Sequence, residues 1–166
     1  MHADGPAHSA ALPSERTLER YLAQHIPLSR ALGVRVERFD AFELRLRAPL
    51  EPNLNHRHTA FGGSLSALAI LAGWTRVAFD LRRAGRDARV VVQRSHIDFD
   101  APAEAAFEAR VEAVPEPEWD TFLRTLERRG KARVGVRGTV RVSDAGDGAD
   151  QVARFAARYV ALGRTG

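Results

Sequence analysis

The chain has no cysteine among its 166 residues, and this absence excludes several classes of site. Without a thiol there is no disulfide, no thiolate nucleophile and no cysteine-ligated zinc or iron–sulfur centre. Lysine is almost as scarce, because Lys131 is the single lysine among 25 basic residues. The formal net charge is +4, but the arginines are spread along the chain without a basic tail or interleaved aromatic residues. This pattern does not favour nucleic-acid binding, and we expect no nucleic-acid partner.

The first residues also lack the basic segment and apolar segment of a secretory signal. We therefore expect a flexible leader over residues 1–14 and a cytoplasmic location. The remaining residues, 15–166, match one domain in length, and the hydrophobic content of 45% is enough for one core.

Residues 59–75 form an uncharged run of seventeen residues, slightly shorter than a membrane-spanning helix. The run contains several glycines and serines, and Arg76 and Asp80 follow closely after it. Its first three turns are apolar on every side, which is typical of a helix that is buried all round. We interpret it as the central helix of a globular core, and we expect no membrane partner.

Apolar periodicity predicts the other helices and strands. Residues 151–162 fit either a strand or a helix, and we favour a strand because the DAGDG turn before them would close a hairpin. The predicted elements are a helix over 17–26 followed by a turn that ends at Gly33, strands at 34–39 and 42–48, a long helix that begins at Phe61-Gly62-Gly63 and ends near Gly85, strands at 88–102 and 106–114, a short helix at 115–131, and strands at 132–143 and 151–162.

This order of elements indicates an α+β architecture, in which a curved antiparallel sheet is wrapped round one long central helix. The arrangement is the hot-dog fold. Because an exposed edge strand of such a sheet is normally covered by a second copy, we expect a homodimer or a dimer of dimers.

The most distinctive motif is LNHRHTAFGGSLSALAILAGW, residues 54–74. It resembles the central signature of the thioesterase domain that also occurs at the C-terminal end of YiiD-type acetyltransferases, a family with the hot-dog fold. The segments SHIDFDAPA and RYVAL extend the resemblance over about residues 15–163. The resemblance implies hydrolysis of an acyl thioester carried by coenzyme A or acyl carrier protein, without a cofactor.

The helix start at Phe61-Gly62-Gly63 has a physical basis for binding a carbonyl group. The first turn of a helix presents unpaired N–H groups and the positive end of the helix dipole. Glycines let a substrate approach the backbone because they carry no β-carbon. The resemblance implies that such N–H groups polarise the thioester carbonyl, with Gly63 or Ser64 as the donor. The alternative is that the two glycines only permit close packing of the helix on the sheet.

Two further positions can be compared with related hot-dog thioesterases. Those enzymes carry Asn or Asp about seven residues before the first glycine, and Asp or Glu about seven residues after the second. Here the first position is Asn55, which matches, and the second is Ile70, which does not. Asn55 can orient a water molecule but is a poor base, so the group that takes a proton is not identified by the resemblance.

Candidates for that group are His56 and His58 in the same loop, and Asp98 and Asp100 on the following strand. Histidine is the side chain best suited to proton transfer near neutral pH, and a partner subunit could bring Asp98 to the helix start as a substrate-binding group. The alternatives are backbone hydrogen bonds for the histidines and ion pairs with arginine for the aspartates. The pairs His56/His58 and His96/Asp98 lack a third ligand, so we expect no metal site.

The leading hypothesis is thioester hydrolysis, with an apolar lining for the acyl group from Phe61, Leu65, Leu68 and Trp74. A non-catalytic acyl-group binder is the first alternative, because Ile70 replaces the expected acid. A dehydratase or hydratase is a further alternative, but the loop with histidine followed by proline that marks those enzymes is not found.

Overall fold

The computed structural model describes residues 11–142 and 150–163. Residues 1–10 of the predicted leader (1–14) and the DAGDG turn lie outside these residues. The described elements are α1 (Glu15–His25), α2 (Pro27–Leu32), β1 (Arg35–Phe39), β2 (Glu43–Ala48), a 3₁₀ turn (Glu51–Asn53), α3 (Gly62–Arg83), β3 (Ala88–Phe99), β4 (Phe107–Glu112), α4 (Glu116–Arg129), β5 (Lys131–Val142) and β6 (Gln151–Gly163).

The six strands form one antiparallel sheet in the order β1-β2-β4-β5-β6-β3. The prediction of an α+β hot-dog fold is confirmed, and so is the strand at the C-terminal end. That strand, β6, pairs with β5 on one side and with β3 on the other, from Ala88 opposite Gly163 to Phe99 opposite Ala153. The twelve-residue strand β3 lies at the edge, and no described strand pairs with its outer side.

The central helix α3 packs against five of the six strands. Leu65, Leu68 and Leu71 are among the residues that it buries in the core. The helix is not buried on all sides, however, which corrects the expectation from its composition. Gly63 is exposed, and Ala67, Ile70 and Trp74 are half-buried, so one apolar stripe remains accessible. The stripe is open because it lies beside the edge strand, where the sheet ends.

The middle of α3 approaches the sheet at Gly73. A β-carbon at this position would overlap the ring of Tyr159 on β6, and Tyr159 donates a hydrogen bond to the carbonyl oxygen of Ile70 at 2.7 Å. Burial raises the pKa of Tyr159, so its hydroxyl remains a donor.

Within the described residues, α3 is the one helix long and apolar enough to cross a membrane, and 72% of its most apolar stretch is buried inside the protein.

The first two helices cover one end of the core. The Ser14 side chain caps α1 by accepting a hydrogen bond from the Thr17 N–H at 3.3 Å, and Pro27 begins α2 after a break at Ile26. The predicted turn after the first helix is thus a second short helix. It ends at Gly33, whose φ of 73° lies in the left-handed region.

Candidate functional site

The loop before α3 is held in place by Asn53, a residue that the sequence did not single out. Asn53 is buried, and its amide nitrogen donates to the carbonyl oxygens of Leu32 at 2.9 Å and Pro49 at 2.8 Å. Its backbone carbonyl oxygen accepts from the Phe61 N–H at 2.7 Å. Asn53 therefore ties the start of α3 to the end of α2, and its position directly before the motif was its only signal in the sequence.

Asn55 is occupied within the same loop. Its amide nitrogen donates to the Thr59 hydroxyl at 2.9 Å and to the Ala60 carbonyl at 3.5 Å, and its oxygen accepts from the N–H groups of Arg57 at 2.8 Å and Thr59 at 3.3 Å. These contacts use both donors and both acceptors of the amide. In this conformation Asn55 shapes the loop rather than presenting a free group to a ligand.

His56 and His58 both lie at the surface of this loop. His58 has a φ of 61°, the only positive φ of a non-glycine residue in the described chain, and its N–H donates to the Asn55 carbonyl oxygen at 3.2 Å. Histidine tolerates this region better than most residues, but a strained backbone still costs about 1 kcal/mol or more. No hydrogen bond joins either imidazole to another described residue, so both are free to meet a ligand.

The start of α3 presents two unpaired donors. The Ser64 N–H donates to the Phe61 carbonyl oxygen at 2.9 Å, and the Leu65 N–H donates to the same oxygen at 3.2 Å. Within the described residues, the N–H groups of Gly62 and Gly63 have no acceptor. The sequence predicted Gly63 or Ser64 as the donor. The Gly63 N–H is available, whereas the Ser64 N–H is already bonded to the Phe61 carbonyl oxygen. The Gly62 N–H is a second available donor.

Two phenylalanine rings flank these donors. A β-carbon on Gly63 would overlap the Phe61 ring, whereas one on Gly62 would lie 3.5 Å from the Phe99 ring, an ordinary contact. Phe61 is 58% exposed and Phe99 is 52% exposed. The helix start is thus an exposed backbone surface between two apolar rings.

Asp98 does not lie at the helix start within one protomer. Neighbouring residues of a strand point to opposite faces, and Phe99 points towards Gly62. Asp98 therefore lies on the outer face of the sheet, where it contacts His96 at 3.2 Å. Asp100 accepts hydrogen bonds from Arg154 and Gln151, each at 3.1 Å, and the Arg154 guanidinium lowers the pKa of this carboxyl most strongly.

The predicted acyl lining is only partly assembled. Leu65 and Leu68 face the core, and Phe61 stands at the surface beside the helix start. Trp74 does line an apolar cavity, and so does Ile70, the residue at the position of the expected acid. Among the described residues, no group of three or more histidine and acidic side chains is placed to hold a metal ion.

Known proteins share both the sequence pattern and this architecture. Residues 15–163 match the family model described as putative thioesterase (yiiD_Cterm). A putative thioesterase from Shewanella oneidensis is 30% identical, with 89% of this chain and 96% of that chain covered and a TM-score of 0.77. A protein of unknown function from Chlorobaculum tepidum is 29% identical, with coverage of 90% and 94% and a TM-score of 0.84.

A thioesterase from Haemophilus influenzae, at 12% identity, covers 95% of this chain and 96% of its own, with a TM-score of 0.71, and shows likeness of fold alone. The family model spans nearly the whole described chain, including the loop, the helix start and the edge strand. The chain belongs to the putative thioesterase (yiiD_Cterm) family.

Proposed function

We propose that the protein hydrolyses acyl thioesters of coenzyme A or acyl carrier protein, in the cytoplasm, at the start of α3. The observation that carries the proposal is the pair of unpaired N–H groups of Gly62 and Gly63 at the N-terminus of a 22-residue helix. The helix dipole places partial positive charge at the same point. Donors arranged in this way stabilise the negative oxygen that develops when a carbonyl carbon is attacked.

The reaction needs water to attack the carbonyl carbon, the carbon–sulfur bond to break, and the proton of the water to reach the leaving thiolate. We assign the proton transfer to an imidazole of the loop, His56 or His58, because both are exposed in the loop that leads into α3. Asn55 acts as a positioning residue through the four hydrogen bonds that hold the loop.

We further propose that the working unit is a homodimer, or a dimer of such dimers. The support is the edge strand β3, which spans Ala88–Phe99 and has exposed Val91 and Val92. Long edge strands with apolar side chains pair readily with another strand. Pairing of two copies along β3 would bring a partner's strand beside Phe99, and so beside the helix start. Sedimentation velocity tests this point, and a monomer at micromolar concentration would contradict it.

The hydrolysis proposal is tested by removing the Gly62 N–H group with a substitution at position 62 alone. Gly62→Pro deletes the N–H at the first helical position, where proline is well tolerated. Phe61, at φ −64° and ψ 131°, already has the extended conformation that a following proline requires. Gly62→Ala is the matched control, because it adds a β-carbon at an ordinary contact distance and keeps the N–H.

Thiol release from short, long and aromatic acyl-CoAs is measured with a thiol reagent. We expect a fall in kcat of about 100-fold or more for Gly62→Pro, the usual effect of losing one such donor, and a change of only a few fold for Gly62→Ala. If the unmodified protein releases no more thiol than buffer alone with every substrate, the proposal is wrong. Equal activity of the two variants would show that Gly62 is not a donor.

A second function, binding of an acyl group without turnover, is favoured by Ile70. This side chain lines the apolar cavity, and it stands at the position where the resemblance implies an acid. The two functions separate in a single experiment, since a pure binder retains acyl-CoA without releasing thiol.

A further inference from the structure

We propose that the acyl group is a single unbranched alkyl chain of about twelve to fourteen carbons, which lies in an apolar cavity between α2 and α3. The inference rests on the proposed function, because that function places the thioester at Gly62 and Gly63. It adds the class of substrate and the path of its tail.

The cavity has a volume of about 300 Å³, at the lower limit of typical small-molecule pockets, ~300–1,000 Å³. That size can hold one alkyl chain. The wall is formed by α2 with the residue before it, by α3, and by one residue of the edge strand: Ile26, Leu28, Ser29, Leu32, Ala67, Ile70, Leu71, Trp74 and Val92.

The cavity continues the surface of the proposed carbonyl site. Ala67, Ile70 and Trp74 follow Gly63 at spacings of four, seven and eleven residues, so all four lie on one face of α3. This face is the accessible apolar stripe of the helix. A chain whose carbonyl oxygen meets the Gly63 N–H therefore has an apolar path along the helix to Trp74, and this path begins at the Phe61 ring that lies over Gly63.

The apolar lining of the cavity determines which kind of acyl chain it can bind. Ser29 is the one polar side chain among the described lining residues. The Trp74 ring nitrogen already donates to the Val90 carbonyl oxygen at 2.9 Å, so it offers no donor to a ligand. A hydroxyl or charged group in this cavity would lose its hydration with Ser29 as its one possible side-chain partner, which costs several kcal/mol for a group that Ser29 does not meet. The substrate tail is therefore a plain hydrocarbon.

The length of the path sets the length of the chain. Eleven residues separate Gly63 from Trp74, and at a rise of ~1.5 Å per residue they span roughly 16 Å. A fully extended chain of single bonds advances about 1.2 Å per bond, which follows from about 3.5 Å for the three bonds of a residue. Thirteen or so bonds therefore reach from the carbonyl to the end of the cavity.

The test measures binding separately from turnover. The chain has two tryptophans, so Trp119→Phe leaves Trp74 as the only fluorescent indole, and it lies in the cavity wall. This variant is titrated with S-alkyl-coenzyme A thioethers of 4 to 16 carbons, which cannot be hydrolysed. We expect Kd to fall by roughly fourfold per added methylene and to level off near twelve to fourteen carbons.

Ala67→Leu places extra bulk in the path one turn after Gly63. We expect it to weaken binding of the twelve-carbon thioether by at least tenfold and that of the four-carbon thioether by less than twofold. Ala31→Leu is the matched control, because Ala31 is exposed on α2 and does not line the cavity. It is expected to change neither value.

A Kd that is independent of chain length would overturn the tail site, and so would equal losses in Ala67→Leu and Ala31→Leu. If Ala67→Leu dissociates a dimer but leaves the length dependence intact, a second copy fills the cavity and the inference is wrong. Length-dependent binding together with no thiol release from acyl-CoAs would support the tail site and refute hydrolysis. Hydrolysis with length-independent binding would refute the tail site alone.

Discussion

The buried ion pair between Arg76 and Asp80 joins the central helix to the first hairpin. Arg76 is fully buried, and its guanidinium donates two hydrogen bonds to the Asp80 carboxylate, one of them at 2.6 Å. A third donor reaches the carbonyl oxygen of Asp40 at 2.8 Å, in the turn between β1 and β2. The guanidinium also lies 5.1 Å from the centre of the Phe39 ring. Removal of one partner should therefore affect stability strongly.

The perturbation is Asp80→Ala, which leaves the Arg76 guanidinium buried without its counter-charge. Breaking a buried pair in this way costs about 3–5 kcal/mol. For a chain of this size, 1 kcal/mol lowers Tm by about 2–4 °C, so we expect a fall of roughly 6–20 °C. Replacing both residues by leucine removes the charges together, and the main remaining cost is the unpaired Asp40 carbonyl, about 1–3 kcal/mol.

The assay is urea unfolding followed by circular dichroism, with the free energy of unfolding compared for the unmodified protein, Asp80→Ala and the double variant Arg76→Leu/Asp80→Leu. We expect the double variant to be more stable than the single variant. Salt should change the result little, because screening is weak for buried charges. If Asp80→Ala costs less than about 1 kcal/mol, or if the double variant is the less stable, the reasoning is wrong.

Three further outcomes are expected. Asn55→Ala should lower kcat/KM by about tenfold or more and the free energy of unfolding by about 1–3 kcal/mol, because the loop N–H groups lose their acceptor. Asn55→Asp keeps the acceptor oxygens, so it should recover most of the stability in the same unfolding assay. Gly73→Ala should cost about 1–3 kcal/mol in thermal unfolding, since the new methyl overlaps Tyr159. The pKa of Asp40 is lowered to about 2 by the N–H groups of Glu43 and Phe42 and by Arg38. Its stabilisation is therefore complete above pH 4 and is lost as the pH falls towards 2, and Asp40→Asn should remove this part of the pH dependence of the urea midpoint.

The fold was predictable because its local signals agree. The uncharged run with its two glycines predicts a long core helix, and the structure begins that helix at Gly62, although one stripe of it stays accessible. The period-two pattern of residues 151–162 was ambiguous by itself, yet the strand interpretation is confirmed as β6. Helical and strand periodicity depends on residues that are a few positions apart, so it can be read directly from the sequence.

The site was less predictable because it depends on contacts between distant segments. Alternation shows that Asp98 and Phe99 face opposite sides, but only the pairing of β3 with β6 decides which of them faces the helix. Asn53 gains its importance from Leu32, which lies 21 residues away at the end of α2. The accessible stripe on α3 likewise depends on where the sheet ends, and helical periodicity alone cannot show that.

Residue 70 tests whether a loop imidazole or an acid on α3 takes the proton. Ile70 lies seven residues, about 10 Å along the helix, from Gly63, which is farther than a glutamate side chain can span. If the proton is taken by a loop imidazole, Ile70→Glu should release thiol no faster than the uncharged control Ile70→Gln. Both variants should lose affinity for long acyl chains, because each places a polar group in the apolar cavity.

The comparison is made with short and long acyl-CoAs across pH 5 to 9. A glutamate in this cavity would have a raised pKa, so any contribution to proton transfer would appear as a pH dependence that the glutamine variant lacks. A rate for Ile70→Glu more than about tenfold above that of Ile70→Gln would exceed what a change in packing explains and would match general base catalysis. It would mean that residue 70 reaches a thioester after all, within one protomer or across a dimer, and the imidazole assignment would then be wrong.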